Sequence, residues 1–370
     1  MMEVRNASPD VDHILAGAIG GERLTGDEIL CLLNLQKRRD LENLFEAARE
    51  VRKKHFGDRI FLYGFIYFST YCRNDCTFCF YRCSNKVSER YRKTTAEILD
   101  TAGKLAESGV HLLDLTMGED PQYFTDGRFA GLLETVAAVK KSTGMPLMIS
   151  PGVIPEEVLL AFCQMGVEWY ACYQETHNRE LYARLRLEQS YEERMQRKKY
   201  AREIGFLVEE GLLSGIGETA EDLLASFEVM AMLQADQVRV MSFIPQKGTP
   251  LGNIETGSHL REMLIIAVMR LLFPDRLIPG SLDVDGIAGL KERLQAGANV
   301  VTSIIPPRKG FLGVSQSTLD VDEGTRTVAG VVPVLEECGL VPAGIEDYRR
   351  WMAETLMKRH CPENIPGSNN

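Results

Sequence analysis

The chain has 370 residues, of which 45% are hydrophobic and 25% are charged, and its formal net charge is −10. This apolar fraction excludes a disordered chain, and the acidic balance argues against a general nucleic-acid or acidic-membrane binder. The sequence has no apolar run of about 18 residues and no apolar core near its polar N-terminus, so we expect a cytoplasmic protein without a membrane span.

The first predicted elements are helices. Residues 10–55 have helical character, because Thr25 is a capping residue followed by an apolar stripe and residues 41–54 carry a second stripe. These patterns predict an N-terminal helical extension over residues 1–56.

Short apolar runs of strand length then alternate with amphipathic helical patterns. Continuous runs such as LLDLT and VRVMSF are typical of buried parallel strands. Eight alternations predict an α/β fold, a (β/α)8 TIM-type barrel, over residues 57–310. An open doubly wound sheet is the rival fold, but no glycine fingerprint opens its first helix. The predicted strands are 60–67, 111–116, 147–150, 169–174, 206–213, 237–243, 277–282 and 299–304.

Two further helical patterns follow the barrel, at residues 327–338 and 345–357. They predict C-terminal closing helices within residues 311–360. The tail, residues 361–370, is polar and contains Pro and Gly, so we expect it to be disordered.

Four of the nine cysteines lie within twelve residues, directly after the first predicted strand. Cys72, Cys76 and Cys79 form a C-x3-C-x2-C motif, with the aromatic Phe78 before its last cysteine. Three thiolates at this spacing can hold three irons of a 4Fe–4S cluster and leave the fourth iron open for another ligand. The odd number of cysteines in an expected cytoplasmic protein argues against a disulfide framework.

Two other interpretations of the cysteines are open. Cys83 is the fourth cysteine, and it would complete a structural zinc site, but zinc ribbons usually present a second pair of cysteines and none follows here. We therefore expect Cys83 not to be a ligand. The second alternative is an iron–sulfur electron carrier or redox sensor, in which protein ligands normally close all four iron sites.

The motif C-x3-C-x-aromatic-C after the first strand of a barrel resembles the signature of the radical S-adenosylmethionine (SAM) superfamily. More narrowly, residues 25–307 are similar to the methylornithine synthases, the family that begins pyrrolysine biosynthesis. Biotin synthases and the hydrogenase maturase HydE belong to the same branch and are the alternatives, acting on another amino acid or amine. The stretches that carry the resemblance include DLTMGEDP, MISPG, YQET, VRVMSFIPQKGTPL, RLIPGSLDVDGI and AGANVVTSIIPP.

The resemblance implies a 4Fe–4S cluster held by Cys72, Cys76 and Cys79. SAM would chelate the open iron through its methionyl amino and carboxylate groups. The residues that the resemblance places around SAM are Phe78, Gly118, Glu119, Ser150, Glu175 and Arg194.

Individual roles for the SAM residues follow from the same resemblance. Phe78 would lie beside the adenine, and Gly118 and Glu119 belong to a GGE-like motif whose first glycine is replaced by methionine. Glu175 matches a ribose-binding position, and Arg194 matches an arginine that pairs with the SAM carboxylate. The alternative for Arg194 is a solvated charge, because its neighbours form a charged helix face.

The resemblance also suggests a substrate site. The substrate that the resemblance implies is L-lysine. It has one carboxylate and two ammonium groups, so its site needs a bidentate cation and acidic partners. Asp114 and Arg239 interrupt apolar strands, where charges are rare, and Ser281 and Asp283 follow the seventh strand. These four match the family's product-binding positions. The alternative is structural, a buried ion pair between Arg239 and Asp114.

The implied activity is a radical isomerisation of L-lysine to 3-methylornithine. The family uses a reduced cluster to cleave SAM, and the resulting 5′-deoxyadenosyl radical takes a hydrogen atom from the γ carbon of lysine. The α–β bond then breaks, the α carbon rejoins the former γ carbon, and 5′-deoxyadenosine returns the hydrogen atom, so that the cofactor can be reused. The implied partners are lysine and an electron donor such as flavodoxin or ferredoxin. We expect the source to be an anaerobe, because an open cluster is oxygen-labile.

Overall fold

The computed structural model describes residues 10–124, 129–255, 257–306 and 325–360. The strands, in chain order, are β1 (Arg59–Ser69), β2 (Leu112–Met117), β3 (Leu147–Ser150), β4 (Trp169–Ala171), β5 (Leu207–Ser214), β6 (Gln237–Ser242), β7 (Pro279–Ser281), β8 (Val300–Ile304) and β9 (Val341–Pro342). The described helices are α1 (Val11–Gly20), α2 (Gly26–Leu33), α3 (Arg38–Phe56), α4 (Thr95–Glu107), α5 (Pro121–Phe124), α6 (Ala130–Thr143), α7 (Glu156–Gln164), α8 (Arg179–Leu185), α9 (Tyr191–Glu203), α10 (Ala220–Leu233), α11 (His259–Leu272), α12 (Leu290–Gln295), α13 (Val328–Glu337) and α14 (Ile345–His360).

Eight parallel strands form a barrel wall in the order β6–β5–β4–β3–β2–β1–β8–β7. A parallel bridge between Gln237 and Leu277 joins the two ends of this order, and the Val238 amide donates to the Leu277 carbonyl at 3.0 Å. The predicted (β/α)8 barrel is confirmed, and the rival open sheet is wrong. All eight predicted strands are present, although β4 ends at Ala171, before the predicted end at residue 174.

The helical predictions largely hold. Three helices, α1 to α3, precede the barrel and end at Phe56, and α13 and α14 follow it. Two short helices, α5 and α8, were not predicted, because four and seven residues are too few to establish a helical period. The expected disordered tail and the predicted boundary at residue 310 lie outside the described residues. Within the described chain, no helix is both long and apolar enough to cross a membrane.

The two-residue period of the strands decides which side chains enter the barrel. On β2, Leu113 and Leu115 pack outward into the main core, while Asp114 and Thr116 line an internal cavity. On β6, Val238 packs outward in the same way. Because successive side chains of a strand point alternately outward and inward, charged residues of otherwise apolar strands face the barrel interior.

The N-terminal end of the barrel is apolar and closed by α14. Phe61 and Trp169, from the first residues of β1 and β4, pack with Tyr348 of α14 in one buried cluster. The Tyr348 hydroxyl lies 2.9 Å from the hydroxyl of Tyr63, and Trp351 stacks on Trp169 with ring centroids 6.0 Å apart. The chemistry of the barrel is therefore confined to its opposite end, where the strands finish.

Replacing Tyr348 with alanine tests this closure. The side chain is fully buried, so its loss should lower the free energy of unfolding by about 3–5 kcal/mol. The exposed Met357 of the same helix is the matched control, and Met357→Ala should change stability by less than about 0.5 kcal/mol. Urea unfolding followed by circular dichroism gives both values, and equal effects would contradict the packing role of α14.

Candidate active site

The cysteine loop, residues 70–83, leaves the end of β1. Cys76 is buried, Cys72 and Cys79 are half-buried, and Cys83 is exposed. Burial raises the pKa of Cys79, and the nearby thiols of Cys76 and Cys72 raise it further. The three cysteines of the motif are thus gathered, whereas the Cys83 thiol turns outward and donates to Asp75 at 3.6 Å.

The described residues hold no group of three or more His, Cys, Asp or Glu side chains placed to bind one metal ion. A tetrahedral zinc site needs four ligands around one point, so the zinc alternative with Cys83 as fourth ligand is not supported. Cluster cysteines surround several iron atoms instead of one, which allows their sulfurs to lie further apart.

The surroundings of the thiols suit an iron–sulfur cluster. The Gln189 amide nitrogen donates to Cys76 Sγ at 3.1 Å, and the Asn74 backbone amide donates to Cys72 Sγ at 3.4 Å. Donors of this kind are typical around the negatively charged sulfurs of clusters. Burial raises the pKa of Cys72 to about 11, so its thiolate requires a metal ligand at neutral pH. These residues therefore fit the cluster predicted from the motif.

Gly118 lets the end of β2 contact the cysteine loop. A side chain at this position would place its Cβ 2.3 Å from the Tyr71 carbonyl oxygen and 3.0 Å from the Cys72 Cβ. The Gly118 amide also donates to the Ser69 carbonyl at 2.9 Å. Only glycine fits this approach, so the GGE-like motif lies directly against the predicted cluster ligands.

Glu119 is held by three groups beside that contact. Its carboxylate accepts from the Val153 amide at 3.0 Å and from Arg73 Nε at 2.9 Å. Gly152 has a φ of +80°, and a Cβ there would lie 2.3 Å from the Glu119 Cγ. The carboxylate is buried and fixed in direction, as a ligand-binding acid should be.

Arg194 is buried, which contradicts the alternative of a solvated charge. Helix α9 turns this residue inward, where Nη2 lies 3.5 Å from Glu119 Oε1 and Nη1 donates to Cys172 Sγ at 3.0 Å. Its Nε has no hydrogen-bond partner within the described residues. Arg194 and Glu119 line one open cavity of about 560 Å³.

A second cavity of about 110 Å³ lies inside the C-terminal end of the barrel. It brings together most of the remaining predicted residues, from both the SAM set and the substrate set. Ser281 does not line it, but its hydroxyl accepts from the Asp283 amide at 3.2 Å. The predicted residues in its lining are Phe78, Cys79, Asp114, Ser150, Glu175, Arg239 and Asp283.

Arg239 is paired with Glu209, not with Asp114. Its Nε lies 2.6 Å from Glu209 Oε1, and the Tyr173 hydroxyl donates to Glu209 Oε2 at 2.8 Å. The structural alternative, an ion pair between Arg239 and Asp114, is therefore wrong. Glu209 was not among the predicted site residues, although it interrupts an apolar strand just as Asp114 does.

Asp114 has no salt-bridge partner among the described residues. Its Oδ1 accepts from the Thr116 hydroxyl at 2.8 Å. Burial, followed by the negative charge of Glu209, raises the pKa of Asp114 to about 7. The cavity therefore contains a carboxyl group that forms no salt bridge with a described residue and that is only partly ionised at neutral pH.

Asp283 is held at the cavity by residues from two other segments. Its Oδ2 accepts from the Ser303 hydroxyl at 2.6 Å, and its Oδ1 lies 2.8 Å from Arg326 Nη2. Arg326 is almost fully buried and was missed, because it lies between the barrel and α13 in a segment without periodicity. Both oxygens of Asp283 are thus fixed at the cavity.

Glu175 projects into the cavity from a strained position beyond β4. Its φ of +69° places it in the left-handed region, and it rejoins β5 through a bridge to Leu212. Arg186 Nη2 lies 2.7 Å from Glu175 Oε1, and burial raises the pKa of Glu175 while Arg186 opposes this rise. Arg186 was missed because it follows the unpredicted helix α8.

Phe78 and Ser150 complete the SAM set in this cavity. The Arg186 guanidinium lies 5.4 Å from the centre of the Phe78 ring. The Ser150 hydroxyl donates to the Ala171 carbonyl at 3.3 Å. The Phe78 ring, Glu175 and Cys79 therefore line the same cavity.

Comparisons with known proteins agree with this geometry. Residues 66–230 match the Radical SAM superfamily. The chain is 45% identical to 3-methylornithine synthase of Methanosarcina barkeri, over 92% of this chain and 97% of that protein. It is 31% identical to the [FeFe] hydrogenase maturase subunit HydE of Thermotoga maritima, over 73% and 77%. The crystal structure of methylornithine synthase (PylB) superposes with a TM-score of 0.87 at 44% identity, covering 91% of this chain and 99% of the other.

Membership in this superfamily implies a 4Fe–4S cluster, SAM, a small-molecule substrate and a reductant. The similarity to the Methanosarcina protein extends over nearly the whole length of both chains. The superposition on the crystal structure of methylornithine synthase shows the same relationship in three dimensions, over 91% of this chain. The chain is therefore a radical SAM enzyme that belongs to the methylornithine synthase family.

Proposed function

We propose that this enzyme isomerises L-lysine to 3-methylornithine. The observation that carries the proposal is the charge balance of the barrel cavity. Glu209 neutralises Arg239, Arg186 neutralises Glu175, and Arg326 neutralises Asp283. Among the described lining residues, the carboxylate of Asp114 is left without an ion pair.

This balance favours a ligand with one net positive charge. Lysine carries two ammonium groups and one carboxylate, and so matches a cavity that has one excess negative charge when Asp114 is ionised. Arg239 uses Nε for Glu209, and among the described residues its Nη1 has the weak acceptor Met241 Sδ, at 3.8 Å, as its one hydrogen-bond partner. The guanidinium therefore has donors left for the α-carboxylate of lysine. The acceptors for the two ammonium groups are Asp114 and Asp283. Ser281 holds Asp283 in place.

We propose Cys72, Cys76 and Cys79 as the cluster ligands. Glu119 and Arg194 are the partners for the amino and carboxylate groups of SAM, with the Gly118 backbone beside them. Phe78, Ser150 and Glu175 are the contacts of the adenosyl group. When bound, the reduced cluster and SAM supply a one-electron cleavage that makes hydrogen-atom abstraction possible.

The protein must hold two reacting fragments together. Breaking the α–β bond of lysine and rejoining the α carbon to the former γ carbon requires that neither fragment leaves or meets another hydrogen donor. Apolar residues such as Phe65 and Val284 complete the cavity wall. The Tyr173 hydroxyl could give a hydrogen atom to a substrate radical. Its hydrogen is directed to Glu209 instead, away from the reacting fragments.

The electron donor is proposed as a flavodoxin or ferredoxin in the cytoplasm of an anaerobe. Reductive cleavage of SAM consumes one electron at a time, and such carriers deliver single electrons. The alternative substrate is another amino acid or amine, as in the HydE and biotin synthase branch.

Turnover with labelled lysine tests the proposed reaction. The reconstituted enzyme is incubated without oxygen with SAM, dithionite and L-lysine labelled with ¹³C at the β carbon. We expect a ¹³C methyl signal by NMR, because the former β carbon becomes the methyl group of the isomer. Formation of 5′-deoxyadenosine with unchanged lysine would leave the radical chemistry standing and contradict the lysine assignment.

Serine substitutions test the proposed cluster ligands. Cys72→Ser, Cys76→Ser and Cys79→Ser should each lose most of the iron and sulfide bound per chain, because each removes a thiolate ligand. Cys83→Ser is the matched control from the same loop and should retain the wild-type content. A loss of iron in the control equal to that of the other variants would contradict the ligand set.

A ligand series tests the role of Asp114. The wild-type enzyme should bind lysine at least about tenfold more tightly than norleucine, which lacks the ε-ammonium, because a charged hydrogen bond contributes about 1.5–3 kcal/mol. Asp114→Asn should remove most of this preference, measured by isothermal titration calorimetry. Asp100→Asn, at an exposed position of α4, is the control. An undiminished preference in Asp114→Asn would contradict the charge argument.

A further inference from the structure

The turn between α8 and α9, residues 186–190, packs against the cysteine loop. The Thr77 amide donates to the Leu185 carbonyl at 2.8 Å, which ties the loop to the end of α8. Glu188 then adopts a φ of +58°, in the left-handed region. This turn places the Gln189 side chain against Cys76, with Nε2 3.1 Å from Sγ. The proposed reaction makes no use of this contact.

The orientation of the Gln189 amide is determined by two arginines. Its Oε1 accepts from Arg194 Nη2 at 2.9 Å and from Arg186 Nη1 at 3.5 Å. A guanidinium only donates hydrogen bonds, so a flipped amide would place its NH2 group against two donors. The amide hydrogen is therefore directed at the Cys76 sulfur.

We propose that Gln189 is a positioning residue that raises the reduction potential of the iron–sulfur cluster by donating a hydrogen bond to the Cys76 sulfur. Reduction adds an electron whose charge spreads onto the sulfur ligands, so a donor stabilises the reduced cluster more than the oxidised one. Arg186 Nη1, 3.7 Å from the same sulfur, acts in the same direction. This inference rests on the proposed function in one respect, the assignment of Cys76 as a ligand.

Three variants of the reconstituted full-length enzyme test the inference. Gln189→Leu removes the hydrogen bond with a side chain of comparable size. Gln189→Glu keeps an acceptor for the two arginines but replaces the donor with a carboxylate oxygen. Gln164→Leu, at an exposed position at the end of α7, is the matched control.

The readout is a potentiometric titration without SAM, followed by the electron paramagnetic resonance signal of the reduced cluster. We expect the reduction equilibrium of Gln189→Leu to shift about tenfold toward the oxidised form, which corresponds to about 59 mV for one electron. Gln189→Glu should shift further in the same direction, because it adds negative charge beside the sulfur. Gln164→Leu should retain the wild-type potential.

Iron analysis separates this inference from the ligand assignment. Full iron content in Cys76→Ser would overturn the ligand assignment itself. Wild-type iron content with an unchanged potential in both Gln189 variants would overturn the inference and leave the proposed function intact. Loss of iron in both Gln189 variants would also overturn it, because it would show that Gln189 is needed to hold the cluster.

Discussion

Charges inside an apolar barrel must be balanced, and the site depends on this constraint. Below the cavity, the barrel is filled by a buried aromatic layer that includes Tyr63, Trp169 and Tyr348. A buried charge is costly there unless a partner neutralises it. The partners of Arg239, Glu175 and Asp283 are all within the protein, so the proposed charge of the ligand rests on Asp114.

A second constraint joins the cysteine loop to this cavity. The end of β2 contacts the loop through Gly118 on one side, and the end of α8 holds Thr77 on the other. Cys79 and Phe78 consequently line the same cavity as Asp114. Residues that would hold the cofactors and residues that would hold the substrate are thus fixed by one set of backbone contacts.

The sequence predicted the barrel well because buried parallel strands leave an unambiguous signal, continuous apolar runs at regular spacing. It also predicted Asp114 and Arg239, since a charge within such a run stands out. The same signal was present at Glu209, which alternation turns toward Arg239. Arg186, Gln189 and Arg326 lie in turns and irregular segments, where no periodicity indicates burial, and only the three-dimensional structure brings them to the site.

The most direct test of the central claim is a titration of the Asp114 carboxyl group. Selective ¹³C labelling of aspartate carboxyl carbons, with Asp114→Asn to assign the resonance, reports its protonation by NMR. Without ligand we predict a midpoint near the pKa of about 7. Saturating lysine should move it well below 7, because a bound ammonium stabilises the ionised form. A midpoint near the ordinary aspartate pKa of about 4 without ligand, or one unaffected by lysine, would contradict the claim that Asp114 is the uncompensated charge that receives the substrate.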